Sequence, residues 1–293
     1  MSSDPESSPP ARIQAIPAPW NVKAEAWWFI TSIGHRPDPS ESLPISYFPA
    51  HETELYRTSV QQDAFRGGRG SITLTRYTDS PIGPFDELSI SPGEFTNPFE
   101  DPSHRVTRAY VSSLPAVVNG RSNWGLPREL AQFIFTPSLD RPDAVEVRVF
   151  PAISFEPVSF AETACFAALI KPVSWLPSIP ASLTHFLQVK LFQPPLEASS
   201  DPAQDGLVGT PKWHALDASA YKGRAKPFRC EGLLTQKDVQ PSVGPEITPA
   251  KRKIHKMGVA DGFGFPDVEP YSVGIYWPEV ELTLPRAVPL ATL

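Results

Sequence analysis

Hydrophobic and polar residues alternate one by one along much of the chain, and this period of two predicts β-strands rather than helices. The alternation is clearest in residues 71–77, 85–91, 105–112 and 271–284. The chain has 36 prolines against 17 glycines, and because proline lacks an amide donor this content argues against long helices. The pattern therefore predicts a mostly β, α+β protein of short strands, rigid turns and few short helices.

The length of 293 residues is enough for one large β-rich domain or two small ones. Residues 1–17 are mainly Ser, Pro, Asp and Glu with little to bury, so we expect a disordered N-terminal tail before a folded region at 18–293. The tail lacks the apolar segment of a secretory signal, and no run approaches the roughly eighteen apolar residues of a membrane span. With only two cysteines, the chain is expected in a reducing, cytoplasmic compartment without a membrane partner.

The charge and the potential metal ligands narrow the classes of function. The formal net charge is −6 and the basic clusters are short, so a nucleic-acid partner is not expected and a small molecule is the default ligand. The 6 histidines are scattered singly, and the cysteines lack the spacing of metal ligands. We predict no metal and no cofactor, and the sequence leaves a homo-oligomer open.

One stretch, residues 119–131, carries most of the candidate chemistry. It follows a strand-like run at 106–118, and Pro127 suits the first position of a short helix because its fixed φ is helical. Arg128 and Glu129 would then lie in the first turn, where free backbone N–H groups and the helix dipole favour an anion. The alternative is that both are ordinary solvated residues of a first turn.

The residues before Pro127 offer two further ligand contacts. Asn123 and Trp124 would lie on a loop above a pocket, where an amide donor and an aromatic wall suit a flat, oxygenated ligand. Trp124 would equally well fill the core.

Polar side chains on two of the strands are also candidates for ligand binding. Arg76 lies on the same strand face as the large apolar residues of 71–77, which is unusual for a charged side chain. Arg108 and Tyr110 share one face of the strand at 105–112, and this face is directed either to solvent or to a cavity. Because that strand leads into the central stretch, we predict the cavity.

The central stretch resembles a segment of the acetoacetate decarboxylases. The shared pattern is Gly-Arg at 120–121, then Pro127, two charged residues and Leu130, and it needs no gap. In this family the segment ends in Pro-Lys-Lys-Leu. The first lysine forms a Schiff base, and the second lysine lowers the pKa of the first, which makes this enzyme a known example of an activated lysine. A Leu-Pro-Arg-Ala sequence at 284–287 also resembles the end of the family pattern.

The two family lysines correspond to Arg128 and Glu129, so the resemblance is broken at the reactive position. An arginine stays protonated at any accessible pH and cannot form the imine. No lysine occurs between Lys23 and Lys171 to take its place. The chain is therefore identified as a divergent member of the acetoacetate decarboxylase-like superfamily without the Schiff-base lysine.

The resemblance implies the fold and further site residues. It implies one domain, built as a single large antiparallel β-barrel or cone with a central cavity. It places Glu87 at the position of a glutamate in the family's pocket, where partial burial would favour proton transfer. Arg121, within the matched Gly-Arg pair, is a substrate-binding candidate. On its own, a glutamate in a strand is more often exposed.

These observations favour an enzyme of small-molecule, secondary metabolism that acts on a β-keto, enol or polyketide-like substrate without covalent catalysis. Glu87 would act as acid or base, Arg128 would hold a carboxylate or enolate, and Glu129 would be a second carboxylate or a restraint on Arg128. Decarboxylation, dehydration, isomerisation and cyclisation all remain open. The rivals are a non-catalytic binding protein and a Schiff-base decarboxylase that uses another lysine, such as Lys171 or Lys190.

Overall fold

The computed structural model describes residues 13–34, 43–52, 65–99, 102–141, 143–182, 190–201, 204, 206–217, 221–235 and 257–290. Strands dominate this part of the chain. They are β1 (Trp20–Ile33), β2 (Phe65–Asp79), β3 (Phe85–Ser91), β4 (Glu94–Phe95), β5 (Ser103–His104), β6 (Arg108–Val111), β7 (Arg128–Pro137), β8 (Val145–Phe155), β9 (Val158–Phe160), β10 (Phe166–Pro172), β11 (Ile179–Ser182), β12 (Lys190–Gln193), β13 (Trp213–Asp217), β14 (Tyr221–Gly232), β15 (Val273–Leu284) and β16 (Val288–Leu290).

Helical structure is sparse, as the proline content indicates. Within the described ranges one α-helix, α1 (Leu114–Trp124), connects β6 to β7, and short 3-10 turns lie at Ile45–Tyr47 and Ala50–Glu52. No helix in these ranges has the length and apolar character that crossing a membrane would require.

The predicted barrel is confirmed. Nine strands close in the order β1, β15, β14, β10, β8, β7, β6, β3 and β2, and β2 pairs again with β1. The strands β6 and β7 run parallel while the other neighbours in this ring are antiparallel, so the sheet is mixed rather than purely antiparallel. The parallel pair follows from α1, which carries the chain back to the same end of the barrel before β7 begins.

The barrel wall separates two hydrophobic cores. In the first, rings from strands that are not neighbours meet: Trp27 of β1 stacks on Phe135 of β7 with centroids 6.3 Å apart, and Phe29 lies 5.9 Å from Phe166 of β10. Such contacts across the ring of strands show that this inner core fills the barrel. The second, the helix-side core, lies between the other face of the wall and α1, where Trp124 meets the ring of Trp20 at 4.9 Å.

The helix of the central stretch lies upstream of its predicted position. We expected a helix to begin at Pro127 with Arg128 and Glu129 in its first turn, and this prediction is wrong, because α1 has already ended at Trp124 and β7 starts at Arg128. The strand expected over 106–118 is likewise shortened to β6. The helix N-terminal amides that we expected beside Arg128 are therefore not there.

The signals for the real helix are present in the sequence. The Ser113 side chain accepts a hydrogen bond from Ala116 N, Pro115 lies in the first turn, and Gly125 ends the helix with a left-handed φ of 64°. The run of β-branched residues at 117–118, which favours strands, hid this start. Packing of α1 against the wall outweighs that local preference.

Residues 13–17, which we expected to belong to the disordered tail, pack against α1. The Asn119 side chain accepts a hydrogen bond from Ile16 N at 2.7 Å and donates one to Gln14 O at 3.0 Å. Asn123 donates to Ile16 O at 2.8 Å. The side-chain amides of Asn119 and Asn123 thus bind the backbone of residues 13–17. Composition alone does not predict this contact. Residues 1–12 of the predicted tail lie outside the described residues, and the division at residue 18 otherwise stays a prediction.

Candidate functional site

Arg128 and Glu87 form an ion pair buried beneath α1. Glu87 pairs with Val111 in β6, and Val111 pairs with Leu130 in β7, so these three residues share one face of the wall. Val111 and Leu130 belong to the helix-side core, and Arg128, two residues before Leu130, points to the same side. Arg128 Nη2 donates to Glu87 Oε2 at 2.7 Å and Nε donates to Oε1 at 3.3 Å. The two side chains are only 1% and 9% exposed, so the pair is a two-pronged, desolvated contact.

A tyrosine completes the hydrogen bonds of the Glu87 carboxylate. The Tyr77 hydroxyl donates to Oε2 at 3.1 Å. Burial, and then the negative charge of Glu87, raise the pKa of Tyr77 well above its usual range, so this hydroxyl keeps its proton. Oε2 accepts the short bond from Arg128 and the bond from Tyr77, whereas among the described residues Oε1 accepts only the longer bond from Nε. Oε1 is therefore the oxygen that hydrogen bonds stabilise less.

Aromatic rings surround this pair. The Arg128 guanidinium carbon lies 5.6 Å from the Phe85 ring centre and 5.8 Å from that of Trp124. Burial, and then the Glu87 charge, also raise the pKa of Tyr221. The Tyr221 ring contacts Trp277 at 5.8 Å, and the Trp277 indole N–H has no hydrogen-bond partner within the part of the chain that the structure describes. The surroundings are largely aromatic, and the Tyr77 hydroxyl is a neutral polar group in contact with the carboxylate.

Gly120 is the point at which α1 crosses Arg128. A Cβ atom built there would lie 2.3 Å from Arg128 Cδ and 2.5 Å from Nη1. The guanidinium cannot easily move aside, because Glu87 holds one edge and Ala116 O accepts a bond from Nη1 at 3.2 Å. Glycine is thus required by the close approach of the arginine rather than by backbone conformation.

We expect Gly120→Ala to lower the free energy of unfolding by about 1–3 kcal/mol, the usual cost of overpacking. Urea denaturation measures this change. Ser122→Ala, at a solvent-facing position of the same helix, is the control and should be neutral or slightly stabilising. A gain in stability for Gly120→Ala, as at an ordinary helix position, would contradict the close contact.

Glu129 lies on the opposite face of β7 from Arg128, because consecutive residues of a strand alternate in direction. It is therefore neither a second carboxylate beside Arg128 nor its restraint, and that part of the prediction is wrong. Glu129 Oε2 instead lies 3.4 Å from Arg108 Nη2, and Oε1 lies 3.8 Å from His51 Nδ1. Had residues 128–131 been read as a strand, the alternation would have separated the two charges.

Arg121 belongs to the same chain of charges. Its Nη1 donates to Glu52 Oε1 at 2.8 Å, and that oxygen is also 3.0 Å from His51 Nε2. The order is Arg121, Glu52, His51, Glu129 and Arg108. Arg121 and Glu52 are 0% exposed, whereas His51 and Glu129 are 15% and 18% exposed. His51 and Glu52 were missed by the sequence analysis because nothing in the pattern links their turn to a helix some 70 residues away.

Arg108 and Tyr110 face the interior of the barrel, where their polar groups bind backbone carbonyls. Arg108 Nη1 donates to Ser46 O at 2.9 Å and to Phe48 O at 3.1 Å. The Tyr110 hydroxyl donates to Gly264 O at 2.6 Å, and burial is the main cause that raises its pKa. Both side chains thus bind segments that cover the inner core: Arg108 binds the segment with Ser46 and Phe48, and Tyr110 binds the segment with Gly264.

The remaining predicted residues, Arg76, Asn123 and Trp124, lie in three different surroundings. Arg76 is 43% exposed, lies 3.3 Å from Asp86 Oδ1, and covers the Phe135 ring at 4.2 Å. Asn123 is used in the contact with Ile16 described above. Trp124 is fully buried, and its indole N–H donates to Pro285 O at 2.8 Å. The structure therefore brings Arg128 and Glu87 together, gathers Arg108, Arg121 and Glu129 elsewhere, and places Trp124 in the helix-side core.

An open groove of about 1390 Å³ lies at the end of the barrel formed by β1, β14 and β15. Its lining includes Lys23, Glu25, Arg224 and Glu279, but neither Glu87 nor Arg128. Within the described ranges, no three His, Cys, Asp or Glu side chains are placed to hold a metal ion. The buried pair and the groove are therefore separate features.

The closed barrel, with its one parallel pair and crossing helix, defines the acetoacetate decarboxylase-like fold. An acetoacetate decarboxylase-like enzyme from Sphingomonas wittichii RW1 is 12% identical, with 100% of both chains covered and a TM-score of 0.54. An acetoacetate decarboxylase is 9% identical over 94% of this chain and 91% of that one, with a TM-score of 0.53. The enduracididine biosynthesis enzyme MppR in complex with pyruvate is 13% identical over 94% and 91%, with a TM-score of 0.50. At these identities the likeness shows the fold.

Sequence comparison gives a shorter match. No protein-family model matches the chain. Protein NEOXANTHIN-DEFICIENT 1 of Oryza sativa subsp. japonica is 39% identical over 71 residues, which are 24% of this chain and 23% of that protein. The matched part thus spans less than a quarter of the length of this curated relative.

Proposed function

We propose that the chain is an enzyme of small-molecule, secondary metabolism that acts on a β-keto, enol or polyketide-like substrate without forming a Schiff base. The observation that carries this proposal is the buried Arg128–Glu87 pair, in which a guanidinium occupies the position of the lysine in the sequence pattern. A guanidinium stabilises an anion but cannot form an imine at accessible pH. A structural neighbour in complex with pyruvate, MppR, supports a small keto acid as the class of ligand.

In this proposal Glu87 transfers the proton and Arg128 stabilises the negative charge that develops. Oε1, the less stabilised oxygen, takes a proton from carbon next to a carbonyl, while Oε2 stays bound to Arg128 Nη2 and Tyr77. A guanidinium has further N–H groups that can be directed to the enolate oxygen. The surrounding rings lower the local dielectric, which strengthens these charge interactions. Decarboxylation, dehydration, isomerisation and cyclisation all contain such a step.

We expect Glu87→Gln to slow proton exchange at the carbon next to the carbonyl by about a hundredfold or more, the usual share of a general base. The measurement is ¹H NMR of pyruvate and of acetoacetate in D₂O, with the enzyme present and absent. Asp86→Asn changes the neighbouring carboxylate on the other face of β3 and should leave the rate unchanged. Equal rates for the wild type and Glu87→Gln would refute the role of Glu87, and near-UV circular dichroism verifies that each variant is folded.

A non-catalytic binding protein of the same fold is the second candidate. It is favoured by the near-complete burial of the pair and by the mutual satisfaction of its hydrogen bonds. Under this alternative the wild type would bind a keto acid without accelerating exchange, and Glu87→Gln would not change that behaviour. The remaining rival uses another lysine, but Lys171 and Lys190 are exposed and neither belongs to the helix-side core. Borohydride treatment with pyruvate should therefore add no mass to the chain.

A further inference from the structure

Four neighbouring strands each place one polar side chain on the inner side of the barrel wall. Arg76 follows Leu74 of the inner core by two residues, so it points to the same side of the wall. Lys226 precedes Phe228 of that core by two residues and therefore also points inward. We call the four residues the polar arc, and in the strand order β14, β15, β1 and β2 they are Lys226, Tyr276, Glu25 and Arg76.

A row of stacked rings lies beside the polar arc, at the boundary of the inner core. The Trp27 ring stacks on Phe135 with centroids 6.3 Å apart and on Tyr276 with centroids 5.3 Å apart. The Arg76 guanidinium carbon lies 4.2 Å from the centre of the Phe135 ring, and the Lys226 ammonium lies 5.6 Å from that of Tyr276. Two cations are thus held against opposite ends of one aromatic row.

Hydrogen bonds within the polar arc involve only part of its donors. The Tyr276 hydroxyl donates to Glu25 Oε1 at 2.6 Å, and burial and then this bond raise the pKa of Tyr276, so the hydroxyl stays protonated. Arg76 Nε donates to Asp86 Oδ1 at 3.3 Å, whereas Arg76 Nη1 lies 3.9 Å from Glu25 Oε2, too far for a hydrogen bond.

Both cations therefore have unused donors. Among the residues that the structure describes, no acceptor binds the terminal nitrogens of Arg76, and no carboxylate lies within ion-pair distance of Lys226. In β15 the pairing partner of Lys226 is Tyr276 rather than an acidic residue. Lys226 is half-buried. A cation that is partly desolvated and lacks a counter-ion is costly, and a bound anion would remove that cost.

The groove connects the polar arc to solvent. Lys23, Thr78 and Arg224 line the groove, and each lies two residues from a member of the polar arc on the same strand. They therefore point to the same side of the wall. Glu25 belongs both to the polar arc and to the lining of the groove. The groove is thus an extension of the inner face of the barrel, and a molecule that enters it reaches Arg76 and Lys226.

The balance of charge in this region favours an anion with a single charge. The chain as a whole has a formal net charge of −6. In the groove, the polar arc and the partner of Arg76, the described cations are Lys23, Arg76, Lys222, Arg224 and Lys226, and the described carboxylates are Glu25, Asp86, Glu279 and Glu281. One positive charge is therefore in excess. A carboxylate matches it, and both carboxylate oxygens fit the planar fork of a guanidinium.

We propose that the polar arc is a second ligand site, which binds a small organic monocarboxylate. Arg76 and Lys226 hold the carboxylate through their unused N–H groups, and the rest of the ligand extends along the groove. This inference does not depend on the proposed function, because the Arg128–Glu87 pair lies on the other side of the wall and does not line the groove.

Isothermal titration calorimetry of the full-length protein with benzoate tests the second site. Arg76→Met and Lys226→Met should each weaken benzoate binding about tenfold or more, the usual loss when a charged hydrogen-bond donor is removed. Lys171→Met is the matched control and should bind as the wild type does. Lys171 is exposed, and it points away from the inner face because its neighbour Ile170 belongs to the inner core.

Glu87→Gln separates the second site from the site of the proposed function. This variant should bind benzoate as the wild type does, whatever its effect on proton exchange. The second site is refuted if benzoate does not bind the wild type, if Lys171→Met weakens binding as much as Lys226→Met, or if chloride at the same concentration displaces benzoate. It is also refuted if Glu87→Gln abolishes binding while Arg76→Met leaves it unchanged, since benzoate would then occupy the helix side. Thermal melting verifies that each variant is folded.

Discussion

Replacing Glu87 by alanine is expected to lower the free energy of unfolding by about 3–5 kcal/mol, because it leaves the Arg128 guanidinium buried without a counter-ion. Arg128 is 1% exposed, and Ala116 O would be its main remaining acceptor. The Tyr77 hydroxyl would lose its acceptor as well. Urea denaturation followed by tryptophan fluorescence measures the change.

Two comparisons make the Glu87 prediction specific. Asp86→Ala removes the neighbouring carboxylate, whose partner Arg76 is 43% exposed, and should cost about 1 kcal/mol or less. The double variant Glu87→Leu with Arg128→Met removes both charges and should recover most of the lost stability, since an apolar pair of similar size can replace a buried ion pair. A loss below about 1 kcal/mol for Glu87→Ala would show that the site is more hydrated than the structure indicates.

Arg121→Met is expected to be about as damaging, with a loss of about 3–5 kcal/mol, because it removes the guanidinium from the fully buried Glu52 carboxylate, which then keeps only its contact with His51 among the described side chains. The same change removes the bonds from Arg121 to Val208 O at 2.7 Å and to Glu197 O at 2.8 Å. These bonds tie α1 to two covering segments. Urea denaturation again gives the free energy of unfolding.

The matched control for Arg121 is Arg141→Met. Arg141 makes a similarly short bond to Glu231, at 2.9 Å, but the two side chains are 43% and 61% exposed, so its loss should cost at most about 1 kcal/mol. Similar losses for the two variants would mean that burial does not decide the strength of these pairs. If Arg121→Met fails to fold, Arg121→Lys, which keeps the charge but not the fork, should fold with an intermediate loss.

The strands were accessible from sequence because single-residue alternation and proline-broken turns are local signals of strands, whereas their closure into a barrel was implied by the family resemblance. The position of α1 was not, although Ser113, Pro115 and Gly125 mark its ends. The β-branched run at 117–118 favoured a strand locally, and only the packing of the helix on the wall reverses that preference. This single error also placed Arg128 and Glu129 on one helix turn instead of on opposite strand faces.

The candidate site was accessible only in part. The resemblance singled out Arg128 and Glu87. The structure shows that these two side chains are in contact and that aromatic rings surround them. His51 and Glu52 could not have been found, since a turn's position in space relative to Arg121 depends on how the whole barrel closes. Long-range pairing of this kind leaves no periodic trace in the sequence.

Strand β1 lies between β2 and β15, so one of its two edges is completed by residues 273–284, about 250 positions further along the chain. During synthesis the ring of strands stays open until residues 273–284 emerge from the ribosome. Until then, the edge of β1 that pairs with β15 has no partner. Long-range closure of this kind makes folding slow and exposes unpaired edges to other chains. Production of this protein should therefore respond strongly to chaperones and to translation rate.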